Sequence, residues 1–207
     1  SNSAVILRSA PQPAPAYPIF VKRYLEALQT AREYAYFETP YFCPPDTLVS
    51  ALKAAAARGI DVRIIVPEKA DHDFMRIANQ SFFPELLEAG IRIYEYLPRF
   101  DHSKVFICDD IQCWIGSVNF DNRSLYLDYE VCAFIRDTAT TVDEKACFLD
   151  LLKECREVSA DEAVRRSKGH RLRGRFLRRV RDATHPTARS KDNRFRERFL
   201  RLFKSQL

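Results

Sequence analysis

The 207-residue sequence predicts an α/β fold followed by a basic helical tail. Short apolar runs typical of strands alternate with longer stretches of helical periodicity, which is the pattern of a layered α/β domain. The composition, 46% hydrophobic and 29% charged, is that of a globular chain and excludes a disordered one. The longest unbroken apolar run, Val131 to Ile135, is too short to span a bilayer.

The first half of the chain predicts three strands and two helices. An apolar run at 4–10 predicts the first strand, and the prolines after it predict a turn into a helix. The buried face of that helix contains Ile19, Tyr24, Leu25 and Leu28. Further apolar runs predict strands at 34–38 and 62–66. Between them, 46–58 predicts a helix, because Gly59 follows it as a C-terminal cap.

The second half predicts a helix, a run of strands and a closing helix. Helical periodicity over 74–88 ends at Gly90, which is again a typical residue after a helix C-terminus. Runs rich in apolar, β-branched and aromatic residues then predict strands at 91–96, 102–108, 112–115 and 130–135. Helical periodicity returns at 139–157 and predicts the last helix of the domain.

The charge distribution divides the chain into two parts. Residues 1–164 contain 17 Lys and Arg and 25 Asp and Glu, a net charge of −8, whereas residues 165–207 contain 16 and 3, a net charge of +13. We therefore predict an α/β domain at 1–160 and a basic tail at 161–207. Apolar residues at helical spacing predict two amphipathic helices in the tail; they are Leu172, Phe176, Leu177 and Val180, then Phe195, Phe199, Leu200, Phe203 and Leu207.

The segment from His102 to Asn119 brings four polar side chains together in the predicted sheet. Because residues two apart in a strand share a face, His102 and Lys104 point the same way, as do Ser117 and Asn119. A hairpin with a two-residue turn at 110–111 pairs His102 with Asn119 and Lys104 with Ser117. Cross-strand neighbours lie roughly 4.5 to 5.5 Å apart, so the four groups would surround a space the size of a phosphate group.

These residue types suit phosphoryl chemistry that needs no metal ion. A neutral imidazole is a competent nucleophile at phosphorus, and an ammonium with neutral donors offsets the charge on the non-bridging oxygens. Glu130, at the start of the next predicted strand, is placed to accept the second ring N–H of a histidine. Five glycines are too few for a glycine-rich nucleotide loop, and the six cysteines lack metal-site spacing. The alternative interpretation of the segment is a solvated strand edge and a turn.

The segment resembles the HKD signature of the phospholipase D superfamily, which it matches at His102, Lys104, Asp109, Gly116, Ser117 and Asn119. Flanking segments resemble the second HKD half of bacterial cardiolipin synthases; they are residues 39–42, 58–63, 69–72 and 116–130. The resemblance extends over residues 4–158 and does not clearly include the tail. It implies a phospholipase D-like sandwich, in which a mixed β-sheet is flanked by helices.

The resemblance also implies a role for each matching residue. His102 would be either the nucleophile that forms a phosphohistidine or the general acid that protonates the leaving alcohol. Lys104, Ser117 and Asn119 would bind the phosphate, and Glu130 would orient an imidazole. Asp109 and Gly116 would stabilise the structure of the motif itself. No metal and no cofactor is implied.

An active site of this superfamily takes two HKD motifs, and the sequence contains one. None of the other histidines, His72, His170 and His185, is followed two residues later by a lysine. A homodimer would bring two copies of His102 together across a two-fold axis. Alternatively, the second motif lies in an upstream half of a longer protein, which we expect because the sequence matches a second half and does not begin with methionine.

Three hypotheses about function follow from the resemblance. The first is cardiolipin synthesis by phosphatidyl transfer from phosphatidylglycerol through a phosphohistidine. The second is a phospholipase D-type hydrolase or a nuclease that acts as a single-HKD homodimer. The third is a non-catalytic membrane-binding module. The basic tail favours an anionic lipid surface over nucleic acid, which predicts a peripheral protein on the cytoplasmic face of the bacterial inner membrane. The alternative interpretation of the tail is a helical pair that docks on the acidic domain or on the missing half.

Overall fold

The computed structural model describes residues 3–10, 18–71 and 73–169. The two amphipathic helices predicted for the tail lie outside the described residues. Within the described residues, no helix combines the length and the apolar character needed to cross a membrane.

Ten strands and six helices make up the described part of the chain. In chain order they are β1 (Ser3–Ser9), α1 (Ile19–Thr30), β2 (Tyr34–Glu38), β3 (Phe42–Cys43), α2 (Asp46–Ala57), β4 (Asp61–Pro67), α3 (Asp73–Glu88), β5 (Arg92–Tyr96), β6 (Val105–Cys108), β7 (Gln112–Gly116), β8 (Phe120–Asp121), α4 (Asn122–Tyr126), β9 (Glu130–Arg136), α5 (Thr138–Leu152), β10 (Cys155–Glu157) and α6 (Ala160–Gly169).

Eight of the strands form one mixed sheet in the order β1-β9-β7-β6-β2-β4-β5-β10. The β2-β4-β5 strands are parallel, and the other pairs are antiparallel. The short strands β3 and β8 pair in parallel in a second, two-stranded sheet. The predicted α/β fold, with a mixed sheet flanked by helices, is therefore confirmed.

The core occupies both faces of the large sheet. On one face α1, α2 and α3 pack against alternate residues of the strands, and an aromatic cluster forms around Tyr24; its other rings are Phe37, Phe106, Trp114 and Phe120. On the other face α5 inserts Phe148, whose ring stacks on Tyr36 at a centroid distance of 4.8 Å. These two layers hold the central strands rigidly, so their ends can position side chains for chemistry.

One predicted helix ends earlier in the structure than the sequence indicated, and one predicted strand begins later. The helix predicted over 139–157 stops at Leu152, and Cys155–Glu157 forms an edge strand antiparallel to β5. The helical prediction was wrong for residues 155–157, because the periodicity of the sequence carries no information about the unpaired edge of a distant strand with which these residues pair. The strand predicted over 102–108 begins only at Val105, so His102 and Lys104 lie in the loop before it.

The predicted register of the hairpin was wrong by one residue. Val105 pairs with Ile115 and Cys108 with Gln112, which leaves a three-residue turn in place of the predicted two-residue one. Asp109 and Asp110 in that turn have φ of 55° and 52°, a left-handed conformation that Asp tolerates better than most residues. The longer turn shifts each cross-strand neighbour, so neither predicted pair of polar residues lies directly opposite.

Helix α6, the last described helix, packs against the sheet domain. Helix α6 lies against α3, and Arg166 donates hydrogen bonds to the buried carboxylate of Glu95 at 2.6 and 3.2 Å. Arg156 of β10 donates to the same carboxylate. Helix α6 therefore packs on the sheet domain, and its first residues, 160–164, belong to the acidic part of the charge pattern.

Gly116 is required by the close approach of β7 to β9. A Cβ at this position would lie 2.6 Å from the Cα of Cys132 and would collide with the carbonyl oxygen of Val131. We expect Gly116→Ala to lower the free energy of unfolding by about 3 kcal/mol or more, because neither obstacle is a flexible side chain.

Urea unfolding measures this effect, with Gly90→Ala as the control. Gly90 has open space around its Cα and a φ of +85°, so its substitution adds backbone strain only, about 1 to 2 kcal/mol. A Gly116→Ala protein that is as stable as wild type would contradict the close packing described here.

Candidate active site

The imidazole of His102 lies at the end of the sheet, in the loop that leads into β6. It is exposed, and two aromatic rings flank it: Phe100 at a centroid distance of 5.5 Å and Tyr41 at 6.0 Å. The hydroxyl of Tyr41 donates a 2.5 Å hydrogen bond to Asp71. The aromatic rings restrict the position of the imidazole while leaving it open to a substrate.

Lys104 connects this loop to the neighbouring strand. Its ammonium donates a 2.5 Å hydrogen bond to the carbonyl oxygen of His102, and its own carbonyl accepts a 3.3 Å hydrogen bond from the backbone N–H of Gly116. The side chain is half-buried, and its charge is attracted by Glu130 and by Asp101. The ammonium is thus held beside the histidine, with donors left for an anionic ligand.

Ser117 and Glu130 form a second part of the site at the adjoining ends of β7 and β9. The Ser117 hydroxyl donates a hydrogen bond to the Glu130 carboxylate and accepts one, at 3.0 Å, from the backbone N–H of Val131. The backbone N–H of Ser117 donates to the carbonyl oxygen of Val131 at 2.9 Å. Because the serine is fixed on both sides, its position depends on the pairing of the two strands.

Asn119 is held by the short helix α4. Its side-chain amide donates a 3.1 Å hydrogen bond to the hydroxyl of Ser124, and its carbonyl oxygen is buried without a partner in the described part of the chain. Asp121 caps α4 by accepting a 2.8 Å hydrogen bond from the backbone N–H of Ser124. Burial raises the pKa of this capping carboxyl to about 6.

These contacts bring four of the predicted residues into one network with a serine that the sequence did not single out as a site residue. Ser124 interacts with both Asn119 and Glu130, and Glu130 in turn attracts Lys104. No sequence signal singled out Ser124, because helix α4, in whose first turn it lies, is only five residues long and too short for its periodicity to predict it.

The charges around the site favour a neutral imidazole. Partial desolvation of the ring, followed by the nearby ammonium of Lys104, lowers the pKa of His102 below its ordinary value, while Asp71 and Asp101 act in the opposite direction. Burial likewise raises the pKa of Glu130 and lowers that of Lys104. A neutral imidazole beside a cation is the combination that a nucleophile or a general base at phosphorus needs.

The carboxylates of Glu130 and Asp109 accept hydrogen bonds from groups other than a histidine ring. The carboxylate of Glu130 bonds Ser117, and among the described residues no hydrogen bond joins it to His102. Asp109 lies at the far end of β6, where its carboxylate accepts three backbone hydrogen bonds, from Arg32 at 2.7 Å and from Glu33 and Tyr34 at 2.9 Å each. Asp109 therefore ties the hairpin turn to the start of β2.

We expect substitution of Asp109 to lower stability in a graded way. Asp109→Ala removes three charge-assisted hydrogen bonds and strains a left-handed residue, which should lower the free energy of unfolding by about 2 to 3 kcal/mol. Asp109→Asn keeps one acceptor oxygen and a residue that tolerates this φ, so the loss should be about 1 kcal/mol.

Thermal and urea unfolding of both variants measure this order. Asp143→Asn, at an exposed position on α5, is a matched control for the change in charge. If Asp109→Ala unfolds with the wild-type midpoint, the three hydrogen bonds do not hold the turn.

The described residues contain no group of three or more His, Cys, Asp or Glu side chains that could hold a metal ion. The site instead combines one imidazole, one ammonium, a hydroxyl, a carboxamide and a carboxylate. Such a set can bind a phosphate group through its charge and its hydrogen-bond donors, and it can supply a nucleophile to the phosphorus atom.

Comparison with known proteins gives consistent matches. Residues 24–150 match the family model described as cardiolipin synthase, PLD-like domain. The chain is 43% identical to cardiolipin synthase 2 of Bacillus anthracis over 149 residues, 72% of this chain and 29% of that protein. It is 44% identical to the cardiolipin synthase of a Geobacillus species over 131 residues, 63% of this chain and 26% of that protein. The chain thus matches less than a third of the length of each.

Solved structures match the same fold. Nuc from Salmonella typhimurium, described as a phospholipase D family member, has a TM-score of 0.63 and 22% identity, over 76% of this chain and 99% of that one. The phosphatidylserine synthase of Haemophilus influenzae has a TM-score of 0.65 and 17% identity, over 87% of this chain and 47% of that one. At these identities the likeness concerns the fold.

Proposed function

Since this chain belongs to the family of cardiolipin synthase PLD-like domains, we propose that it transfers a phosphatidyl group from phosphatidylglycerol to a second phosphatidylglycerol, giving cardiolipin. The observation that carries the proposal is the exposed position of His102, together with the Lys104 ammonium that bonds its backbone carbonyl and helps to lower the pKa of its imidazole. The relatives from Bacillus anthracis and the Geobacillus species are named cardiolipin synthases, which favours a phospholipid diester as substrate.

The proposed reaction has two displacements at phosphorus. In the first, one histidine attacks the phosphorus of phosphatidylglycerol, a nitrogen–phosphorus bond forms, and the bond from phosphorus to the glycerol oxygen breaks. A second histidine, acting as general acid, gives its proton to the departing glycerol. In the second step it takes a proton from the hydroxyl of another phosphatidylglycerol, whose oxygen displaces the enzyme nitrogen. His102 fills one of these two roles.

The remaining side chains would stabilise the phosphate. The Lys104 ammonium and the donors of Ser117 and Asn119 would bind the non-bridging oxygens, on which negative charge concentrates in the transition state. We propose that Glu130 orients an imidazole. Because it is not bonded to His102, that imidazole would be the one supplied by the second motif.

We propose that the second motif comes from an upstream half or from a second copy of this chain. Two neighbouring imidazoles suit the mechanism because each disfavours a positive charge on the other, so that one remains neutral while its partner holds a proton. In the homodimer alternative, a two-fold axis would bring the His102 side chains of two copies together.

Incubation of the purified chain with phosphatidylglycerol vesicles tests the proposal, with cardiolipin and phosphatidic acid measured separately. Cardiolipin would support transfer and would also establish that the chain supplies both motifs by pairing with itself. Phosphatidic acid alone would assign a hydrolase, because water would then replace the second lipid. Cleavage of a single-stranded oligonucleotide without lipid turnover would favour the nuclease.

We further propose that the chain acts at the cytoplasmic face of the bacterial inner membrane as a peripheral protein, held there by its basic tail. Each Lys or Arg near anionic headgroups contributes on the order of 1 kcal/mol, so binding should weaken as salt is added. Sedimentation with phosphatidylglycerol vesicles at increasing salt measures this. Sedimentation and lipid turnover measured together on wild type and His102→Ala separate the alternatives. Undiminished binding with lost turnover in the variant supports an enzyme with a lipid anchor, whereas a non-catalytic module would bind equally well and would show no turnover even in the wild type.

A further inference from the structure

The segment that leads from β2 into β3 is held on both sides of Tyr41 by one buried amide. Asn79 of α3 is 2% exposed, and its side-chain carbonyl accepts a 2.8 Å hydrogen bond from the backbone N–H of Phe42. Its amide nitrogen donates a 2.9 Å hydrogen bond to the carbonyl oxygen of Pro40. Because a buried amide needs partners for both its donor and its acceptor, these two bonds fix the backbone before and after Tyr41.

The same segment is joined to β8, the short strand directly after Asn119. Phe42 of β3 pairs with Phe120 of β8, and their rings stack at a centroid distance of 5.4 Å. The Thr39 hydroxyl accepts a 3.2 Å hydrogen bond from the backbone N–H of Phe120 and donates one, at 3.0 Å, to the carbonyl oxygen of Tyr41. The backbone of Tyr41 is therefore tied to the part of the chain that carries the site.

The side chain of Tyr41 reaches from this backbone to the imidazole of His102. The two rings meet edge to face, with their planes at 73° and their centroids 6.0 Å apart. The far end of the tyrosine is held as well, because its hydroxyl donates a 2.5 Å hydrogen bond to Asp71. Phe100, the other ring beside the imidazole, lies in the same loop as His102, whereas Tyr41 approaches from a separate part of the fold.

We propose that Tyr41 is a positioning residue: its ring, anchored at both ends, holds the imidazole of His102 in the orientation from which it reacts with phosphorus. Asn79 and Asp71 act only through that ring. The inference rests on the proposed function in treating His102 as the reacting group. The placement of the tyrosine ring is a property of the free protein and can be measured without a lipid.

Tyr41 contributes a ring and a hydrogen-bond donor to the site, and no charge. Burial and the adjacent Asp71 carboxylate raise the pKa of its phenol, so the hydroxyl stays protonated. Partial desolvation and then Lys104 lower the pKa of His102, whereas Asp71 and Asp101 raise it. Replacing Asp71 by a neutral residue should therefore lower the pKa of the imidazole, an effect distinct from loss of the tyrosine ring.

Four variants separate the ring, its two anchors and the nearby charge. Tyr41→Leu removes the ring, and Tyr41→Phe keeps the ring and loses its bond to the carboxylate. Asn79→Ala removes both backbone bonds, and Asp71→Asn removes the charge but keeps an oxygen that can accept from the phenol. Tyr34→Phe is the matched control, because the Tyr34 hydroxyl donates a 2.6 Å hydrogen bond to Asp110 at the opposite end of β6.

Proton NMR of the free chain tests the anchoring. We expect a nuclear Overhauser effect between the ring protons of Tyr41 and those of His102 in the wild type, since edge-to-face rings at this centroid distance bring protons into range. The effect should weaken in Tyr41→Phe and in Asn79→Ala, and it should persist in Asp71→Asn and in Tyr34→Phe. Its absence from the wild type, or equal strength in all of these proteins, would overturn the proposal.

The pH titration of the imidazole is a second readout in the free chain. Asp71→Asn should lower the pKa of His102, and Tyr34→Phe should leave it unchanged. A pKa that Asp71→Asn does not move would show that this carboxylate is not beside the ring, and would overturn the anchoring. Should Asn79→Ala fail to fold, Tyr41→Phe and Asp71→Asn still decide the outcome.

Turnover of phosphatidylglycerol measures the effect of positioning on the reaction. Misplacing a reacting group by about 1 Å can reduce the rate roughly 100-fold, so Tyr41→Leu should lower kcat by about this factor and change KM little. Tyr41→Phe should recover most of the rate, with a loss of about three- to tenfold for one hydrogen bond, and Tyr34→Phe should match the wild type.

The outcomes distinguish the proposal from the function on which it rests. A Tyr41→Leu enzyme with a wild-type kcat, or with a raised KM alone, would contradict a positioning role. A complete absence of lipid turnover in every protein, wild type included, would refute the proposed function. The Overhauser effect and the imidazole titration would then decide by themselves whether Tyr41 holds the ring of His102.

Discussion

His102→Ala is expected to reduce turnover of phosphatidylglycerol by about 10⁴-fold or more, because the variant lacks either the nucleophile or the proton donor. A methyl group can neither attack phosphorus nor hold a proton, and no other described histidine lies in the loop. The structure itself should survive, because the imidazole is exposed and the hydrogen bond from Lys104 goes to the backbone of residue 102.

The measurement is the initial rate of lipid product formation, with the unfolding temperature recorded for each protein. His185→Ala is a suitable control, since it removes a histidine that lies outside the motif. Below the pKa of His102, which burial and Lys104 place under its ordinary value, the imidazole becomes protonated and the wild-type rate should fall if His102 is the nucleophile. Retention of substantial activity by His102→Ala would place the chemistry elsewhere.

Lys104→Met is expected to reduce kcat by about 10² to 10³-fold with a smaller effect on KM. In the proposed mechanism the ammonium stabilises charge that increases in the transition state, and the loss of one such donor from a preorganised site has an effect of this size. The methionine side chain has a similar length and fills a similar volume, so packing around the loop should be preserved.

Lys104→Arg and Lys153→Met complete this series. Arginine keeps the positive charge but its planar group cannot replace the point charge of an ammonium, so activity should be intermediate. Lys153 is 76% exposed on its side chain and pairs with Asp150, far from the loop in sequence, so Lys153→Met should be fully active. A Lys104→Met enzyme with a wild-type kcat would show that the ammonium does not stabilise the transition state.

Much of the site could be predicted from the sequence because the motif is local. Contacts link Lys104, Ser117, Asn119 and Glu130, which the motif had grouped. The predicted cross-strand pairs did not place them, however, because Lys104 lies in the loop before β6, Ser117 and Asn119 follow β7, and Glu130 begins β9. The alternation of strands and helices likewise predicted the sheet, since each apolar run has a buried face to cover.

The errors arose where pairing rather than local pattern decides the structure. The hairpin register depends on whether the turn has two or three residues, and here Asp109 is drawn into the turn by three backbone hydrogen bonds from a distant part of the chain. The strand Cys155–Glu157 is a second case, because it forms only where the edge of β5 offers it a partner, and no local pattern indicates that pairing.

The stereochemical outcome at phosphorus tests the central claim, a two-step displacement through a histidine, most directly. The substrate is phosphatidylglycerol in which sulfur replaces one non-bridging phosphate oxygen, prepared with a single configuration at phosphorus. The active enzyme converts it to product, and the configuration at phosphorus is then determined in the product. Each in-line displacement inverts the phosphorus, so two displacements predict overall retention. Inversion would show that the acceptor attacks the lipid directly, and it would contradict a covalent phosphohistidine.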